Sequence, residues 1–88
     1  MLFMVIERFK KADPEPVHQR FERSGRLMPE GLKYRGSWMD VTGSRCFQLV
    51  ETEDPTLFDE WLKHWRDIIS FEIVPVSEAS EFWAKYKN

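Results

Sequence analysis

The sequence is short of most features that assign a function quickly. A single cysteine, Cys46, excludes an intrachain disulfide and a cysteine-rich zinc site. Its two histidines, His18 and His64, have no second histidine at i+4, so a helical metal motif is missing and no metal is expected. There is no glycine-rich phosphate loop and no nucleophile elbow. Basic side chains are not in excess: 13 Lys and Arg face 15 Asp and Glu, a formal charge of −2. A nucleic-acid partner normally demands the opposite balance, and Arg20, Arg23 and Arg26 are only a small local cluster, so none is expected. The opening apolar run, Met1 to Ile6, has no basic leader and stops at Glu7-Arg8. It is too short for a membrane span or a signal peptide, and the expectation is a cytoplasmic protein without a membrane partner.

What is present argues for a folded domain. Hydrophobic residues make up 42% and aromatics 15%, which is far from the signature of disorder. Eighty-eight residues leave room for one domain, 1–88, with one core. A chain this short buries roughly 60–70% of its unfolded surface, so its stability margin as a monomer is small.

The elements can be read in order. Met1 to Ile6 is apolar on both alternating faces, Phe3 and Val5 on one and Leu2, Met4 and Ile6 on the other, as in a strand buried on both sides. Asp13-Pro14 signals a helix start, with Asp13 as cap and Glu15 near the positive end of the dipole. Val17, Phe21, Ser24 and Met28 follow at helical spacing, with Leu27 beside them, and Gly25 weakens the last turn. Leu32 to Val41 alternates, Thr42-Gly43 marks a turn, and Arg45 to Thr52 resumes as a strand. Pairing Val41 with Ser44 sets Trp38 opposite Phe47 and Tyr34 opposite Glu51. One hairpin face is then Tyr34, Trp38, Arg45, Phe47, Leu49 and Glu51; the other is Ser37, Met39, Cys46, Gln48 and Val50. A one-residue slip exchanges the faces of one strand. Asp54-Pro55 starts a second helix with Leu57, Phe58, Trp61, Leu62 and Trp65 on its apolar face, ending near Asp67. Phe71 to Val76 is the fourth strand, and Pro75 suits an edge. Ser77 caps a last helix bearing Ala79, Phe82, Trp83 and Tyr86.

This order, β-α-β-β-α-β plus a C-terminal helix, predicts a ferredoxin-like α+β fold, with a four-stranded antiparallel sheet and both internal helices on one face. The other face, about 400 Å² in plane, needs cover. A second copy packed sheet on sheet would supply it, giving a homodimer. The alternative is that Phe82, Trp83 and Tyr86 fold the last helix across it within one chain.

Four stretches carry a resemblance: Met1–Phe9 MLFMVIERF, Gly25–Trp38 GRLMPEGLKYRGSW, Arg45–Thr52 RCFQLVET and Phe71–Val76 FEIVPV. Together they resemble a family of short, functionally uncharacterised bacterial domains known only as a domain of unknown function. The resemblance implies the dimeric α+β barrel superfamily, which also holds cofactor-free monooxygenases, haem-degrading enzymes, lactone isomerases and stress-response proteins. A shared scaffold does not choose among these. It does imply a small-molecule cleft between sheet and helices.

Candidate lining for that cleft is Tyr34, Trp38, Arg45, Phe47 and Glu51, closed by Trp61 or Trp65. There Arg45 would neutralise an anionic oxygen, Glu51 would take a proton and Tyr34 would donate a hydrogen bond. The competing reading makes the aromatics plain core and Arg45 with Glu51 a solvated strand-end ion pair. Glu7 shares a face with Phe3 and Val5, and either enters the cleft or marks where burial stops. Cys46 reads as a buried, inert thiol. Haem-degrading members use a helical His with Trp and an Asn; here the only asparagine is Asn88, so His64 reads as solvent-facing and no cofactor is expected. Two functions stay open: a dimeric ligand-binding or cofactor-independent enzyme-like domain for a small, partly apolar or anionic molecule, and a non-catalytic dimerisation or protein-interaction module.

Overall fold

A computed structural model describes residues 1–86. The chain runs β1 (Leu2–Phe9), a short 3-10 turn (Lys10–Ala12), α1 (Glu15–Ser24), β2 (Lys33–Met39), β3 (Arg45–Glu51), α2 (Leu57–Leu62), β4 (Ile69–Val76) and α3 (Ala79–Tyr86). The strands form one antiparallel sheet in the order β2-β3-β1-β4. That is the split βαβ arrangement the sequence predicts. Pro75 lies on the edge strand β4, where a missing N–H disturbs no second neighbour. Asn88 lies outside the described residues.

Both Asp-Pro signals lie just ahead of their helices, but the N-cap positions are Pro14 and Thr56, not Asp13 and Asp54, and neither N-cap makes a side-chain cap bond. Asp13 accepts a hydrogen bond from the Glu15 N–H at 3.0 Å, and Asp54 accepts one from the Thr56 N–H at 3.1 Å. The first helix is shorter than its apolar spacing suggests. It stops at Ser24, because Gly25 turns to φ +69° and its N–H closes on the Phe21 carbonyl at 2.8 Å. Leu27 and Met28 therefore lie beyond the helix. After Leu62, tight turns carry the second helix to Ile68, with the Trp65 N–H donating to Leu62 O at 2.9 Å.

Alternation assigns the sheet's faces. Phe3, Val5, Glu7 and Phe9 on β1 point to the helices together with Cys46, Gln48 and Val50 on β3. Phe58, Trp61, Leu62 and Trp65 cover part of this face, with Phe3 and Phe58 edge to face at 5.2 Å. In the hairpin, Trp38 does lie opposite Phe47. Tyr34 lies opposite Val50, not Glu51, because the register shifts between Tyr34 and Gly36 and leaves Arg35 as the extra residue. That bulge puts Tyr34 and Trp38 on opposite faces.

The second face carries Leu2, Met4, Ile6, Phe47, Leu49 and Val74, all half-buried, with Trp38 57% exposed at its margin. α3 does not cover it. No α3 residue is buried, and Phe82, Trp83 and Tyr86 pack on one another with centroids 5.2–5.8 Å apart while staying more than half exposed. The radius of gyration, 14.3 Å, exceeds the roughly 12 Å of a compact chain this long. Cover from within one chain is not the arrangement adopted.

Candidate functional site

Helix α1 stands off the sheet. None of its residues is buried, and Phe21 is 42% exposed although it faces inward. Between α1, the helix-facing strands and the end of α2 lies a cavity of about 450 Å³. This is within the range of pockets that enclose small ligands. Arg20 links α1 to the chain after α2. Its guanidinium grips both carboxylate oxygens of Asp67 at 2.7 Å, donates to the His64 carbonyl at 2.7 Å, and sits 5.6 Å from the Trp65 ring centre. Asp67 is pulled down to about 2, first by that hydrogen bond.

The cavity walls are apolar: Phe9, Val17, Phe21 and Ile69, with the indoles of Trp61 and Trp65. Both indole N–H groups donate to one acceptor, the Arg26 carbonyl, at 3.0 Å each. This crossing of bonds ties α2 to the segment after α1. Leu27 there adopts φ +59°, a left-handed conformation that costs a non-glycine residue energy. The Arg26 guanidinium also lines the cavity, stacked 3.7 Å from the Tyr34 ring centre and 5.3 Å from that of Phe21. Among the described residues it makes no salt bridge.

On the sheet side the polar groups are Glu7 and Gln48, only 4% and 8% exposed. The Gln48 amide N–H donates to Glu7 Oε2 at 2.5 Å, and Gln48 Oε1 is buried without a partner. Burial pushes the Glu7 carboxyl up to about 7, against the opposing pull of the Gln48 hydrogen bond and the Arg26 charge. Cys46 is Glu7's cross-strand neighbour. Its thiol is pushed up to about 11, mainly by burial and next by Glu7, so it is a poor nucleophile.

The expected lining is only partly assembled. Trp61 and Trp65 line the cavity, and Tyr34 reaches its edge through Arg26, with its hydroxyl paired to Ser37 Oγ at 2.7 Å. Trp38, Arg45, Phe47 and Glu51 belong to the opposite face of the sheet. The hairpin turns its Cys46, Gln48 and Val50 side to the helices, the reverse of the orientation expected for the cleft. Nor do Arg45 and Glu51 pair with each other, since six residues of strand separate them by about 20 Å. Arg45 binds Asp40 Oδ2 at 2.8 and 3.0 Å, and Glu51 binds Arg35, the bulged residue. Asp40 is held at about 2, first by the Thr42 N–H and next by Arg45; Glu51 is lowered, first by Arg35. The signal for Glu7 was its shared face with Phe3 and Val5. For Gln48 and Arg26 the sequence offered no comparable signal.

His18 lines the cavity rim and pairs with Glu22 at 3.5 Å, while His64 is exposed. Among the described residues no group of three or more His, Cys, Asp or Glu is placed to hold a metal ion, and no helix is long and apolar enough to cross a membrane.

Fold and site together define an α+β domain with an apolar cavity whose floor is a buried carboxyl–amide pair. The chain belongs to the family described as Domain of unknown function (DUF3303), whose model matches residues 1–88. No curated protein and no solved structure matches it.

Proposed function

We propose that this chain is a small-molecule-binding, enzyme-like domain that takes a partly apolar ligand between α1 and the sheet and works without a cofactor. The observation that carries this reading is the 450 Å³ cavity with the hydrogen-bonded Glu7–Gln48 pair on its floor. Gln48 Oε1 is buried there without a partner, at a cost of about 1–3 kcal/mol that a purely structural core would avoid. Apolar walls supply affinity, and Gln48, Glu7 and Arg26 supply orientation. Relationship to the dimeric α+β barrel superfamily of bacterial proteins fits the same picture, as does a reducing cytoplasm for the buried free thiol of Cys46.

The working unit in this proposal is a homodimer. The half-buried side chains of the second sheet face and the exposed rings of α3 are the surfaces a second copy would cover. The face alone offers about 400 Å². A stable interface takes about 800 Å² from each partner, so α3 must contribute. Those rings are also what favours the second reading, a non-catalytic interaction module. A thermal-shift screen against aromatic acids, quinones, lactones and haem separates the two. Stabilisation of the wild type that is lost in Gln48→Leu supports the ligand role, and a screen with no hit at millimolar concentration supports the module.

A further inference from the structure

The cavity's polar groups fit one kind of chemistry, and this inference rests on the ligand-binding reading above. We propose that Glu7 is a general base that moves a proton between two carbons of a small apolar carbonyl compound, with Gln48 orienting it and Arg26 receiving the charge.

Three observations carry the assignment. Glu7 is 4% exposed on the cavity floor, where a carboxylate short of solvent gains by taking a proton. Gln48 holds one carboxylate oxygen at 2.5 Å, while its own oxygen is buried and unpartnered, so the amide is committed to Glu7. Arg26 brings a guanidinium to the same cavity, fixed against Tyr34 and free of any salt bridge among the described residues, which suits it to an oxygen that becomes negative during reaction. The neighbouring thiol of Cys46 is too weakly acidic to compete as nucleophile. The remaining titratable groups that line the cavity are Glu15 and His18 on α1; α2 contributes Trp61 and Trp65, and β4 contributes Ile69, with Phe71 cross-strand from Glu7.

The step balances within the substrate and the protein. A C–H bond beside the carbonyl breaks and its proton forms an O–H bond on Glu7. The electron pair becomes a C=C bond and the carbonyl π pair moves to oxygen, beside Arg26. Return of the proton to the carbon at the far end of a conjugated system restores the C=O bond, shifts the C=C bond and regenerates the carboxylate. The substrate class is therefore an enolisable β,γ-unsaturated ketone, and the net reaction is an isomerisation; an aryl ketone such as 2-tetralone, whose ring takes no proton back, reports the first proton transfer alone.

The test uses the full chain with 2-tetralone, reading α-deuteration by NMR in D2O and, in parallel samples in H2O, the indole N–H shifts of Trp61 and Trp65 as a record of binding. Wild-type protein is expected to accelerate deuteration above the buffer rate, with activity climbing to a plateau above about pH 7 as Glu7 ionises. Glu7→Gln should bind the ketone but lose at least about 100-fold in rate. Arg26→Gln, with Glu7 intact, should lose about 100-fold as well. Binding without acceleration, or Glu7→Gln as fast as wild type, overturns the general-base assignment while leaving the ligand-binding reading in place. Indole shifts that never move overturn both.

Discussion

Glu7 is where local structure and function meet most closely in this chain. Alternation along β1 commits it to the face of Phe3 and Val5, and it is buried there whatever its charge. The carboxyl titrates near 7 in the native state against 4.5 as its ordinary value. The native state therefore binds the proton more tightly than the unfolded one. Stability is fully present below about pH 4.5 and is lost as pH rises through about 7. The loss amounts to about 3 kcal/mol, at 1.36 kcal/mol for each unit of displacement. Urea denaturation at pH 5 and pH 8 checks this: wild type should be weaker at pH 8 by about that amount, and Glu7→Gln should remove most of the difference. Equal pH dependence in both proteins would mean the carboxyl reaches water. Glu7's face was legible from the sequence; its burial was not, because a charge at a strand end more often marks where solvent begins.

At the scale of elements, the Asp-Pro helix starts, the Trp38–Phe47 register and the edge position of β4 follow from local chemistry, and all are observed. Two things were not local. The bulge at Arg35 reverses the face of Tyr34 relative to Trp38, and a bulge leaves no mark in an alternating pattern that already contains Gly36. The orientation of the hairpin depends on which side packs better against α2, and both sides carry apolar residues. Hence Trp61 and Trp65 reach the cavity, while Trp38, Arg45 and Glu51 do not. The Arg20–Asp67 clamp ties α1, which stands off the sheet over the cavity, to the chain after α2. Arg20→Ala should raise hydrogen exchange of the α1 amides several-fold and leave the protection of β1 and β3 unchanged. Because Asp67 is depressed to about 2, the clamp persists through mild acid and opens only as pH falls through about 2. Unchanged α1 exchange in the variant would assign the anchoring of α1 to the turns around Gly25 and Leu27 instead.

For the molecule as a whole, a half-buried apolar sheet face and a helix of exposed rings lie on surfaces separate from the cavity. Sedimentation at micromolar concentration should give a dimer, and Phe82→Ser with Trp83→Ser should shift it toward monomer without affecting ligand affinity. A monomeric wild type would remove the interface and leave the site intact. The chain's four tryptophans allow one experiment to address both surfaces, since Trp61 and Trp65 face the cavity, Trp38 borders the open sheet face and Trp83 sits on α3. The decisive measurement is an NMR titration of the four indole N–H signals with a small aromatic ketone. Saturable movement of Trp61 and Trp65, with Trp38 and Trp83 still, is the predicted result. Movement confined to Trp38 or Trp83, or no saturable movement at all, would contradict a binding site between α1 and the sheet.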